Sequence, residues 1–389
     1  MNNEITNVNN ENIVNVIDEF DYSTQNESYN EKFRRWRRKK ENPFAFNFAE
    51  NKKESVYIDG RGFIESSAVS TEKKVLANIF YFIGLALLMY IAFDDVISKI
   101  VISLFSFFGI DIHNNYFSSI IYGGSREIVT VFIIVTFIKV FIPLMFLHFK
   151  FGLPLKVEFM GNMNNPMALI GAISMALVLC TISSLPNVYS SETKEIYEFF
   201  KNIETDISVW GQTEFLVYTI FDIIVMSVLS EMFFRGAMFA VLRQFGDPFA
   251  IIITSIIAGL LTQNFNTMLT VILISFVASY GMIASGSVFT SVCVVIIYKI
   301  YNLALTIIEV DPSEKMPFTR NIFMIFIFII GGAGLIAYWI YTAKKKKWGI
   351  ARYKSELHYS RRFIFSVKTF PFSAVTALCV VCALVKAVF

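Results

Sequence analysis

Apolar positions in this chain come in long unbroken runs, set off from one polar stretch at the start. Residues 1–75 are rich in Asn, Glu and Ser and show almost no apolar periodicity. Such a composition buries too little surface to offset chain entropy, which predicts a mostly disordered polar tail. From residue 76 onward the apolar runs approach the ~20 residues that a helix needs to cross the hydrocarbon. They predict helices near 77–107 (one long or broken), 127–148, 165–187, 213–240, 249–264, 267–285, 287–308 and 321–343. A last apolar segment, 367–388, either spans or lies in the interface. The expected fold class is all-α, a polytopic transmembrane bundle over 76–343 with about eight core spans. A basic segment at 344–366 and a membrane-associated C-terminal helix at 367–389 follow it.

Charge orients the bundle. With the N-terminus inside, the inner segments hold Lys73 and Lys74, then Lys150 and Lys156, then Arg243, then Lys344–Lys347 with Arg352, Lys354, Arg361 and Arg362. That bias fits a multi-pass protein with a cytoplasmic N-terminus. The outer loop 188–212 places Ile196, Phe199, Phe200, Ile203 and Ile207 on one helical face, which predicts a short amphipathic helix on the outer interface. The run Phe33–Lys40 mixes Arg and Lys with aromatics and suits either an anionic leaflet or plain solvation.

Composition agrees with the pattern. The chain is 55% hydrophobic and only 17% charged, and holds 41 Phe. Membrane lipids are its expected surroundings. A net charge of +3 gives no case for nucleic-acid binding. Cys379 and Cys382 have a CxxC spacing, but inside an apolar run they read as two small residues on a membrane helix. The Asn-, Lys-, Ile- and Phe-rich usage suggests a bacterial source, and hence the plasma membrane.

Ionisable groups inside a bilayer need a partner or a purpose. The candidates are Lys139, Asp222, Glu231, Arg235 and Lys299. Glu231 and Arg235 are spaced i, i+4 and can pair on one helix face. Asp222 faces either Lys139 or Lys299.

Ser230-Glu231-Met232-Phe233-Phe234-Arg235-Gly236 resembles the Glu-Glu-x-x-x-Arg motif of the CPBP family, the CAAX proteases and bacteriocin-processing enzymes. Gly259–Gln263 aligns with that family's Phe-x-x-x-His motif on the next helix. Tyr298-Lys299-Ile300-Tyr301-Asn302 aligns with its His-x-x-x-Asn motif two helices later. The resemblance covers about 210–305 and implies an intramembrane glutamate-dependent endopeptidase. In such an enzyme the first Glu and first His activate water, and the last His and Asn stabilise the oxyanion.

The match keeps Glu231, Arg235 and Asn302, but Ser230, Gln263 and Tyr298 stand where the first Glu and both His belong. One residue is a turn of ~100° on a helix, so Glu231 does not point where position 230 points. Three His in all, His113, His148 and His358, lie in loops or near the inner side and argue against a zinc site. No pattern calls for a cofactor. The resemblance with these departures implies a pseudoprotease that binds a peptide, a lipid-like ligand or a membrane-protein partner. An active endopeptidase, CAAX-type or peptide-processing, with an altered site is an alternative; Ser230 as nucleophile with Lys299 or Lys139 as base is one arrangement it could use. An unrelated channel or transporter is another.

Overall fold

A computed structural model describes residues 22, 25–39, 42–45, 57–58, 62–63, 67–114, 121–184, 213–310, 316–345 and 359–388. Helix α1 covers Glu27–Arg37, and a two-stranded antiparallel pair joins β1 (Tyr57–Ile58) to β2 (Gly62–Phe63). Helix α2 (Ser67–Phe107) leads to a second short hairpin, β3 (Ile112–Asn114) with β4 (Ile121–Gly123). Then come α3 (Ser125–Phe151), α4 (Leu155–Glu158), α5 (Pro166–Ser184) and the span Thr213–Phe245, here α6. The rest are α7 (Asp247–Leu260), α8 (Phe265–Ser285), α9 (Val288–Val310), α10 (Met316–Lys345), α11 (Tyr359–Val367) and α12 (Phe370–Val388).

The fold is the expected all-α membrane bundle. Among the described residues, seven helices are long and apolar enough to cross a membrane, or up to eight if the bent pair α11–α12 is one span. The run expected as a span at 249–264 differs. Helix α7 ends at Leu260, and its 14 residues reach ~21 Å, short of the ~30 Å hydrocarbon. The long first helix is continuous over Ser67–Phe107, with its best span at Ser70–Asp94. The predicted outer amphipathic helix at 188–212 lies outside the described residues.

Glycines set the turns at one end of the bundle. Gly152 ends α3 at φ 58° and Gly286 ends α8 at φ 84°, both left-handed. Gly246, at φ 105°, separates α6 from α7, and Pro248 opens α7. The turns at this end bond to one another. Asn164 N–H donates to Ser285 O at 2.9 Å, and Val288 N–H to Met160 O at 2.9 Å. Arg362 donates to Phe245 O at 2.8 Å. Lys150, Lys156, Arg243 and Arg362 all gather here, so this is the basic end.

The polar tail is not wholly without structure. Asn26 caps α1, accepting from Tyr29 N–H, and the helix packs on the basic end. Tyr29, Phe33 and Trp36 recur at i, i+4 and i+7, one face of a helix, and all are buried with Tyr22 and Phe44. Polar contacts fix the docking. Trp36 Nε1 donates to Phe151 O at 2.9 Å, Gln25 to Gly286 O at 3.1 Å, and Gln244 to Phe44 O at 2.8 Å. The aromatics of the Phe33–Lys40 run thus pack against protein, while Arg35 stays exposed and pairs with Glu31.

Arg243 holds the tail to the bundle. It is 1% exposed, ion-paired to Asp247 at 2.6 Å and hydrogen-bonded to the Tyr29 hydroxyl at 3.2 Å. Its guanidinium carbon lies 3.7 Å from the Tyr22 ring centroid, and the Tyr22 hydroxyl donates back to Arg243 O at 3.1 Å. Burial pushes the Tyr29 hydroxyl above its ordinary pKa, against the opposing pull of Arg243.

Close helix contact depends on missing side chains. A Cβ at Gly84 of α2 would run into the backbone of Pro371 and Phe372 at the start of α12. Gly84→Val is expected to lower stability by about 1–3 kcal/mol through overpacking. Gly332→Val, with nothing within 4 Å of its Cβ, is the control and is expected to stay near wild type. Thermal unfolding in detergent compares them, and equal melting of all three proteins would refute the contact.

Candidate active site

Helix α6 is where the candidate residues cluster. Two π-helical segments, Phe221–Met226 and Met232–Met238, interrupt its α-helical path. Such irregular turns often mark functional sites, because they re-aim side chains without ending the helix. Between and within them sit Asp222, Ser230, Glu231 and Arg235.

The expected Glu231–Arg235 pair forms at 2.8 Å, with both side chains 2% exposed. Arg235 also donates from Nη2 to Ser275 O at 2.8 Å and to Ser275 Oγ at 2.7 Å. The guanidinium thus ties α6 to α8. Glu231 Oε2 is buried, with Ser291 of α9 beside the carboxylate. Asp222 resolves its two expected options in favour of Lys299, at 2.7 Å across to α9. Lys139 pairs instead with Asp94 at 2.6 Å and lies 4.8 Å from the Tyr90 ring. Each pair neutralises charge between two different helices or within one turn, which is what a low-dielectric medium requires.

The substituted positions fare differently. Ser230 is half-buried, and its hydroxyl donates to Ser227 O in its own helix at 3.2 Å. Gln263, expected on a helix, stands in the turn after α7 with φ 51°. A side chain there is uncommon, and the conformation is held by neighbours: Thr262 donates to Gly259 O at 2.7 Å, and Asn264 caps α8. Tyr298 and Asn302 lie one turn apart on α9. Asn302 is 4% exposed, and Tyr298 packs against the cluster of Ala172, Ala176 and Tyr301. Counted from the basic end, Glu231, Tyr298 and Asn302 lie ~15–21 Å along α6 and α9, and Gln263 stands just past the far end of the ~21 Å α7.

Another buried acid escaped the sequence reading. Glu158, at the end of α4, is 1% exposed and meets His148 Nδ1 at 2.5 Å. Burial pushes its carboxyl above the usual range, and His148 pulls it back only in part. A Cβ on Gly236 would lie 3.5 Å from Glu158 O, so this turn abuts the π segment that carries Arg235. The sequence signal was faint: a His at a helix end, then Gly152 and Pro154, then one acid. His113 lies in β3, and His358 falls outside the described residues.

A polytopic membrane bundle with a buried Glu–Arg pair on an irregular span is the class of protein that fold and site define. Residues 212–301 match the family model described as Rce1-like, type II CAAX prenyl endopeptidase, which bears out the CPBP resemblance over α6–α9. No curated protein and no solved structure matches the chain.

Proposed function

We propose that this chain is a degenerate member of the CPBP proteases that binds a peptide, a lipid-like ligand or a membrane partner without cleaving it. The observation that carries the reading is local. Ser230 stands where the family has its first Glu, and its hydroxyl is turned onto its own helix. Glu231 is engaged by Arg235, and a carboxylate held in an ion pair is a poor base for water. Gln263, Tyr298 and Asn302 retain hydrogen-bonding groups, which supports a polar recognition site without a proton acceptor.

The cross-helix pairs support a packed bundle over an ion path, since Lys139 and Lys299 each have a carboxylate partner. The basic end, where Lys150, Lys156 and Arg243 gather, is the cytoplasmic side in this reading. The membrane is the plasma membrane of a bacterial cell.

Purified protein in bicelles, mixed with prenylated C-terminal peptides and with single-span peptides, tests the reading. No turnover is expected, and Glu231→Ala and Ser230→Ala should change nothing in product formation. Cleavage by the wild type that disappears in either variant would establish an active endopeptidase instead.

A further inference from the structure

Helix α11 meets α12 at 88°. Helix α12 buries Phe372, Val375, Cys379 and Ala383, a stripe at helical spacing, and packs along the spanning helix α2. With α12 packed on α2, the bend turns α11 off the direction of α12 at the basic end, where Arg362 donates to Phe245 O. One face fastens it to the bundle. Arg362 and Ser366 are buried, and Arg362 pairs with Glu72 of α2 at 2.9 Å.

The remaining surface divides in two. At 100° per residue, Phe363 falls on one flank and Ile364 opposite the buried face, with Phe370 following at the turn, and all three are exposed. Arg361 falls on the other flank, Lys368 follows in the turn after the helix, and both are exposed. Lys368 Nζ lies 5.7 Å from the Phe365 ring centroid, and Lys73 Nζ lies 5.1 Å from the same ring. A helix turned off the spanning direction, with an apolar flank and a basic flank, matches the boundary between acyl chains and headgroups. Because the buried pair holds it in place, little ordering is needed on binding.

We propose that α11 is an interfacial anchor for anionic phospholipid. Arg361 and Lys368 take the headgroup phosphate, and Phe363, Ile364 and Phe370 enter the acyl boundary. Each cation near an anionic surface contributes a factor of about 5 in affinity, so two give about 25-fold.

The test is native mass spectrometry of the full chain in detergent, titrated with phosphatidylglycerol or phosphatidylcholine. Phosphatidylglycerol adducts are expected at ~25-fold lower concentration, and Arg361→Ala with Lys368→Ala should abolish the preference. No preference in the wild type, or an unchanged preference in the double variant, would overturn the proposal. So would displacement of the lipid by millimolar glycerol phosphate, which would leave a free-phosphate site. In nanodiscs, Phe363→Trp should add fluorescence that lipids brominated high on the acyl chain quench. Added fluorescence that stays unquenched would place the helix off the membrane and refute the anchor.

Discussion

Arg243→Met is expected to destabilise the protein by about 3–5 kcal/mol, because it leaves Asp247 buried and unpaired. Both side chains of that pair are fully buried, at 2.6 Å. The same change removes the cation from the Tyr22 ring, 3.7 Å away, and the donor to Tyr29. A desolvated cation–π contact contributes about 2 kcal/mol on its own. Arg243→Lys should fall between, since one ammonium does not span Asp247 and Tyr29 as a planar fork does. Arg243→Met with Asp247→Leu should recover at least ~1.5 kcal/mol over Arg243→Met alone, the mark of a coupled pair. Two readouts check this: melting in detergent, and trypsin cleavage within Arg34–Lys39, which should speed up as the tail comes loose. Wild-type melting together with wild-type protection in Arg243→Met would show that the tail is held by other contacts.

The second large effect concerns the candidate site. Arg235→Leu should also cost about 3–5 kcal/mol, since Glu231 then sits uncompensated inside a span. It breaks the two bonds to Ser275 as well, loosening α6 from α8. Glu231→Gln should cost less, because the amide oxygen still accepts from Arg235. The double variant should be more stable than Arg235→Leu alone. If Arg235→Leu melts like wild type, the carboxylate does not depend on its partner and is not tied up as a base by it.

These two arginines show what was legible in the sequence and what was not. The Glu231–Arg235 pair could be read directly, because i, i+4 spacing in an apolar run leaves few other outcomes. Arg243 was read as a loop charge marking the inner side. Its end of the bundle agrees, but its partners Tyr22 and Tyr29 lie in a tail whose average composition is polar. Three aromatics at one helical spacing were enough to dock that tail, and averaging hides so short a stripe. Spans were legible where runs were long. Helix α7 was overestimated because its apolar run continues through Leu261, while the chain turns at Thr262–Asn264 through side-chain caps and the left-handed Gln263. The choice between Lys139 and Lys299 for Asp222 was open for a simple reason: helix adjacency is set by packing, and one sequence does not encode it in spacing.

The docked tail also orders events during synthesis. Tyr29 and Arg243 bond across a separation of 214 residues. At roughly 5–20 residues per second, about 10–40 seconds pass between emergence of the first and of the second. Through that interval Trp36 can already meet Phe151, 115 residues on, but Tyr22 and Tyr29 lack the guanidinium they pack on, and the tail must wait on the side where α6 will end. Closing the basic end is therefore among the last steps of assembly. A fusion partner placed on the N-terminus would act on that step, after the spans before Arg243 have been made.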